Sequence, residues 1–387
     1  MRNVAFCIAA CLALLSACIP CVFSVLLRPW TVRRSSCFRN MPLGSVPGVS
    51  RIIISGLFYI NLRLLYTYYL FFCIFAAMKG TIIKITAMAL VAVALLSCGG
   101  RRGGDAVRSV YYWSTTLRMD SVKEQFMREH NVSRMYIRYF DVVEDESGRP
   151  VPNATLRFVT AVPKGIEVVP VVYIVNSCMR RDISGLAEKI YRRVRQMNET
   201  NSIGGVKEIQ IDCDWTMRTR DVYYDFLKQL RSMAAADGIK LSATIRLHQL
   251  SQPAPPVDRG VLMMYNTGDF TDLECSKPIL DMDDAAPYMS RLASYNLPLA
   301  SAYPLFSWRI LFRGSRYVGI MHADDDLPVL AGDSIVERRV ELDDIMRAKD
   351  AVSRKRADAN GEILLFDMSN QNITRFKPED YEKIYLR

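Results

Sequence analysis

The chain has 387 residues, 50 of them basic and 40 acidic, and half of them hydrophobic, a length that suits one large domain or two small ones. Its formal net charge of +10 is concentrated at the start: residues 1–77 hold seven arginines, no acid and six of the ten cysteines. With that segment and Lys79 and Lys84 set aside, 41 basic and 40 acidic residues remain, which excludes the basic footprint of a nucleic-acid binder.

Two apolar runs within the first segment, residues 4–27 and 52–77, approach the length of a bilayer span, and Asn61 and Arg63 interrupt the second. Met78 then opens a compact secretory signal, with Lys79 and Lys84 as its basic region and residues 85–96 as its apolar core. It ends Leu95-Leu96-Ser97-Cys98, which resembles the bacterial lipoprotein signal, in which the cysteine is lipidated and becomes the new N-terminus. The resemblance implies that residues 78–97 are a signal peptide and that Cys98 joins the protein to a lipid bilayer. The expected location is the envelope of a Gram-negative-type bacterium, at the outer membrane. A complete signal placed internally marks residues 1–77 as an upstream extension from mis-assigned initiation. Residues 98–106 then form the lipidated cysteine and a glycine-rich tether, and residues 107–387 a single domain. Past Cys98 only Cys178, Cys213 and Cys275 remain, too widely spaced for a zinc site or a disulfide framework.

In the domain, residues 109–113 read as a strand and 120–130 as a helix with Asp120 as its N-cap. A strand over 134–142 precedes a segment, 144–154, whose Gly148, Pro150 and Pro152 predict a loop. Residues 167–175 are almost continuously apolar, as a doubly buried parallel strand should be. The helix over 183–197 sets Leu186, Ile190 and Val194 on one stripe. From 208 to 216 the chain alternates: Ile209, Ile211 and Cys213 face one way, and Gln210, Asp212 and Asp214 the other. A helix over 220–236 and a strand over 241–247 complete a βαβ unit and predict a parallel sheet. Strands over 260–265, 299–303 and 362–367, with helices over 285–295 and 341–356, bring the strands to eight. The expected fold is α/β, a (β/α)8 TIM-type barrel, irregular in lacking at least one connecting helix and in carrying a hairpin insertion over 304–332 after strand seven.

Strand parity sends Gln210, Asp212 and Asp214 inward, along with Ser242, Thr244, Arg246 and His248, Arg138, and Asp367 at the rim. Charges in such an interior require partners, and Asp212, Asp214 and Asp367 balance Arg138 and Arg246. Barrel enzymes keep their chemistry at the carboxyl ends of the strands. The catalytic candidates are therefore Asp214, Asp212 and Asp367, and the contact candidates are Arg138, Arg246, His248, Tyr265, Asn266 and Trp308. An ion network that merely fills the core is the competing reading for Asp212 and Arg246. No histidine pair has metal-ligand spacing, the acidic runs at 281–284 and 322–326 read as solvated turns, and no glycine-rich phosphate loop is present. Neither a metal nor a cofactor is expected.

Ile211-Asp212-Cys213-Asp214-Trp215-Thr216 resembles the strand-four signature of family 18 glycoside hydrolases, the chitinase type, D-x-x-D-x-D-x-E. Met263-Met264-Tyr265-Asn266 resembles that family's strand-six M-x-Y-[DN] segment. In the family the glutamate protonates the glycosidic oxygen, the preceding aspartate orients the substrate's acetamido group, and the strand-six tyrosine steadies it. Here Asp212 and Asp214 match the second and third acids, but Ile209 stands at the first and Thr216 at the glutamate. A threonine hydroxyl has no pKa suited to general acid catalysis near neutrality. Four further motifs cover most of the domain: Tyr111-Tyr112-Trp113-Ser114-Thr115, Val169-Pro170-Val171-Val172, Gln210-Ile211-Asp212-Cys213-Asp214 and Leu241-Ser242-Ala243-Thr244. They resemble an uncharacterised bacterial barrel family, domain of unknown function 3142. The resemblances imply a lipid-anchored barrel that binds or cleaves a glycan at its mouth. The alternative is a non-catalytic binding or assembly lipoprotein that kept the barrel and lost the acid, or, less favoured, an outer-membrane accessory protein using the barrel's outer face.

Overall fold

A computed structural model of the chain describes residues 106–321 and 327–386. The two apolar runs, the expected signal, Cys98, the tether as far as residue 105 and the acidic run at 322–326 lie outside the described residues. Eight strands follow one another: β1 (Val107–Tyr112), β2 (Arg134–Glu144), β3 (Glu167–Ile174), β4 (Glu208–Asp212), β5 (Lys240–Ile245), β6 (Arg259–Met263), β7 (Leu299–Pro304) and β8 (Glu362–Phe366). Each pairs in parallel with the next, and β8 returns to β1, so the ring closes into the (β/α)8 barrel that the sequence predicts.

The helices are α1 (Ser121–Glu129), α2 (Leu186–Thr200), α3 (Arg220–Ala236), α4 (Met282–Met289), α5 (Leu342–Arg356), α6 (Asn370–Ile373) and α7 (Pro378–Tyr385). Asp120 caps α1 as expected, accepting the backbone N–H of Lys123 at 3.0 Å. Outward residues of the strands, among them Ile209, Ile211, Cys213, Ala243 and Ile245, join the helix stripes in the main core. A second core fills the barrel itself, built from Tyr111, Tyr136, Val169, Val171, Val261, Met263 and Leu364.

The connections after β2 and β7 depart from the sequence reading, while the expected lack of at least one connecting helix is met. The segment expected as a loop after β2 instead turns back, and Pro150–Asn153 pairs antiparallel with the end of β2. Prolines are tolerated there because this strand lies at an edge. After β5 the chain makes only a 3-10 turn, Leu247–Ser251, so two connecting helices are missing among the described residues, after β2 and after β5. The insertion after β7 is a three-stranded antiparallel sheet, Ser307–Arg313 between Arg316–Met321 and Asp333–Arg339, and exceeds the expected hairpin by a strand.

Inside β2 one residue is extra. Arg138 pairs with Val171 and Phe140 with Val172, so Tyr139 forms a bulge. Bulges reset the alternation of a strand. Tyr139 and Phe140 both turn to the outer core, Tyr139 donating to Asn198 Oδ1 at 2.7 Å, and Asp141 comes to share the inner face with Arg138.

The floor of the barrel, at the amino ends of the strands, is ionic. Glu362 accepts from Ser109 Oγ at 2.7 Å and Tyr136 Oη at 3.1 Å, and its other oxygen meets Arg134 at 2.9 Å and also Arg259. Arg134 reaches Glu167 at 3.0 Å, and Arg259 reaches Glu208 at 3.5 Å. Burial pushes the Glu208 carboxyl above its usual range against the pull of Arg259. Removing one member of such a network leaves the others uncompensated. Glu362→Ala is expected to lower stability by about 3–5 kcal/mol in urea unfolding, and a loss below about 1 kcal/mol would show that the floor does not hold the barrel together.

Candidate functional site

β4 ends at Asp212 and delivers two acids to the mouth at different depths. Asp212 is 3 % exposed and accepts from Thr244 Oγ1 at 2.6 Å, with the Arg246 guanidinium 3.6 Å away. Asp214, two residues past the strand, has a side chain 49 % exposed and is paired with Arg246 Nε. Burial raises the Asp212 carboxyl above its ordinary range, Arg246 working against that and Asp214 with it. For Arg246 burial opposes the charge, yet the two carboxylates hold the guanidinium above its usual range.

The loops are tied to keep this geometry. The Arg246 N–H donates to Gln249 Oε1 at 2.9 Å, and Gln249 Nε2 donates to the Trp215 carbonyl at 3.2 Å, joining the ends of β4 and β5. The Thr216 N–H donates to Thr219 Oγ1 at 3.0 Å, and that hydroxyl donates to Asn176 Oδ1 at 2.7 Å, joining β4 to the turn after β3. Trp215 is buried against Tyr223 and Tyr224 of α3, on the outer side of the barrel. Thr216 lines neither of the cavities described next.

A central cavity of about 540 Å³ is lined by Arg138, Asp212, Asp214, Arg246 and Asp367 and by an aromatic group. Phe366 lies at the centre of that group, 5.5 Å from Trp113, 5.2 Å from Tyr265 and 5.8 Å from Phe306, centroid to centroid, and Phe306 is 5.3 Å from Trp308. A side cavity of about 290 Å³ shares Asp214, Arg246, Tyr265 and Asn266 and adds His248 and Tyr288. Tyr265 is buried, and its hydroxyl has no hydrogen-bond partner among the described residues. Burial raises that hydroxyl well above its ordinary range. Burial lowers the His248 imidazole, with Asp214 acting the other way.

The mouth thus gathers all nine sequence-predicted site residues, with Arg246 on its expected partners Asp212 and Asp214 but Arg138 and Asp367 on others. Arg138 does not balance Asp212, Asp214 or Asp367: its guanidinium forms a two-point pair with Asp141, Nε to Oδ1 at 2.6 Å, and lies 5.4 Å from the Trp113 ring centroid. Asp367 accepts from Asn372 of α6, and burial raises its carboxyl above the usual range. His248 has left the strand for the 3-10 turn and belongs to the side cavity. Trp308 enters from the insertion, which is fastened to the barrel by Arg375. That guanidinium donates to the carbonyls of Leu305 at 3.2 Å, Phe306 at 3.4 Å and Val340, and so grips both ends of the insertion.

Sequence reasoning missed Trp113, Tyr173, Phe306 and Phe366 as lining residues, and Asp141 as the partner of Arg138. Trp113 shares the inward parity of Tyr111, so alternation carried to the strand end would have found it, whereas Phe366 shares that of Leu364, opposite to the parity assigned through Asp367. Asp141 has the wrong parity, and only the bulge brings it inside.

Fold and site together define a (β/α)8 barrel with an acidic, aromatic-walled mouth. No protein-family model matches the sequence, and no curated protein sequence does. Among solved structures, similar barrels include a chitinase of Chromobacterium violaceum ATCC 12472, at 11% identity and a TM-score of 0.48, over 72% of this chain and 98% of that one. The spore cortex-lytic enzyme SleL of Bacillus cereus is similar at 14% identity and a TM-score of 0.47, over 72% of this chain and 73% of that one. The Group IV chitinase of Ostrinia furnacalis is similar at 10% identity and a TM-score of 0.43, over 72% of this chain and 98% of that one. At these identities the likeness concerns the barrel and nothing of the site.

Removing Arg246 would leave Asp212 buried without its counter-charge, whereas Asp214 has water on one side. Arg246→Met is expected to cost about 3–5 kcal/mol of stability, and Asp214→Asn less than about 1 kcal/mol. Equal losses in thermal unfolding would contradict this division of labour.

Proposed function

We propose that the protein is a lipid-anchored barrel of the cell envelope that binds a glycan at the carboxyl-end mouth. One observation carries the reading. A cavity of about 540 Å³ is lined by the rings of Trp113, Phe306, Trp308 and Phe366 together with paired charges from Asp212, Asp214, Arg246 and Arg138. Pyranose rings present apolar C–H faces and a rim of hydroxyls, and such a cavity offers a surface for each. Tyr265 lines the same cavity, and its buried hydroxyl is without a partner among the described residues. The strand-four and strand-six motifs support the reading, and the four further motifs support kinship with the uncharacterised barrel family. Anchoring rests on Leu95-Leu96-Ser97-Cys98.

Binding is favoured over cleavage because Thr216 occupies the place of the family's acid and lines neither cavity. Hydrolysis is the second reading, and Asp367 is the observation in its favour. A carboxyl that burial holds protonated to higher pH is suited to general acid work, with the exposed Asp214 as the second group. The non-catalytic alternative, a binding or assembly lipoprotein, keeps the cavity and dispenses with that proton.

A glycan array probed with the full chain in detergent, followed by a hydrolysis screen, tests both readings. Trp308→Ala is expected to weaken binding about three- to tenfold, the worth of one aromatic stacking contact. Unchanged binding would remove the cavity from the proposal. For Asp367 the raised folded value means that its contribution to stability is complete below the unfolded carboxyl value, about 3.9. That contribution is lost as pH rises through the folded value. Asp367→Asn is therefore expected to flatten the decline in melting temperature above about pH 4, and to abolish cleavage should the screen detect any. An unaltered slope would contradict the burial of its charge.

A further inference from the structure

The cations at the mouth are already engaged. Arg138 is held by Asp141, and Arg246 by Asp214 and Asp212. Asp367 accepts from the neutral Asn372 amide, and among the described residues no cation pairs with it. Two guanidinium groups therefore face four carboxyl groups, and the excess lies beside Phe366, in the lining that also holds Trp113, Phe306 and Trp308. Aromatic faces attract cations, and Arg138 over Trp113 already uses one of them in this way. Tyr265, only 4% exposed, lines the same cavity, and its buried hydroxyl has no hydrogen-bond partner among the described residues. It offers an oxygen to an N–H or O–H donor.

We infer that the mouth selects a glycan carrying free amino groups, a de-N-acetylated amino-sugar chain whose ammonium sits between Asp367 and the aromatic wall. The inference rests on the glycan reading and deepens it. An ammonium supplies the counter-charge with which the Asp367 carboxyl ionises, against the burial that raises it above its usual range, and gains from the ring faces as well. An N-acetylated sugar is neutral and forgoes that attraction. A uronate adds a negative charge to a site where both arginines are already paired.

The test is a titration of the full chain in detergent against three oligosaccharides of equal length: glucosamine, N-acetylglucosamine and a hexuronate. The expected result is at least about tenfold tighter binding of the glucosamine oligomer than of either other ligand, with the preference shrinking as salt rises. Asp367→Asn is expected to reduce that preference to about threefold or less, and circular dichroism of the variant reports whether it folds. Equal affinity for the free and N-acetylated oligomers, or a preference for the uronate, overturns the amine selectivity and leaves glycan binding standing. Binding of a simple alkylammonium without binding of any sugar keeps the cation site and overturns the glycan reading. Binding of none of the ligands overturns both.

Discussion

The guanidinium of Arg246 is the contact on which the mouth depends. It stands at the end of β5, largely out of water, and meets a buried carboxylate on one side and a half-exposed one on the other. In the interior of a closed barrel an unpaired charge of either sign costs several kcal/mol, on the order of what a good ion pair returns. One arginine between two aspartates meets that condition for Asp212 while leaving Asp214 partly open to solvent. The backbone on both sides is then fastened by Gln249, so the pair is held by the ends of two strands and not by loops alone.

The barrel has two charged layers with an apolar one between them. At the floor Arg134, Arg259, Glu208 and Glu362 pair so closely that they make a plug. Tyr111, Tyr136, Val169, Val171 and Leu364 fill the middle. At the mouth the balance is incomplete and there is room for a ligand. The same inward-facing registers thus serve stability at one end and recognition at the other, as the distribution of function in such barrels leads one to expect.

Much of this was legible in the sequence, because alternation along a strand is a geometric rule that the closed sheet enforces. The rule placed Asp212, Asp214 and Arg246 correctly and, carried to the strand starts, would also have found Arg134, Glu208 and Arg259, but on β8 it was set by Asp367, whose parity excludes Glu362. It failed where the chain departs from regularity. Asp141 lies beyond the bulge at Tyr139, and nothing local in Arg138-Tyr139-Phe140-Asp141 signals an extra residue. Pro150 and Pro152 argued for a loop, but an edge strand can leave their missing N–H groups unused. The third strand of the insertion, Asp333–Arg339, is amphipathic only with respect to a partner that sequence order does not reveal.

The extra residue in β2 also bears on how this site can change over generations. In an unbroken strand, deleting one residue exchanges inner and outer faces for everything downstream, which would turn a mouth of this kind inside out. In β2 the deletion of Tyr139 would simply restore even alternation. Arg138 and Asp141 would still point inward with Phe140 between them, at the loss of a fully buried ring from the outer core, with its contact to Phe158 and its hydrogen bond to Asn198. This strand can therefore be shortened by one residue with its recognition surface intact.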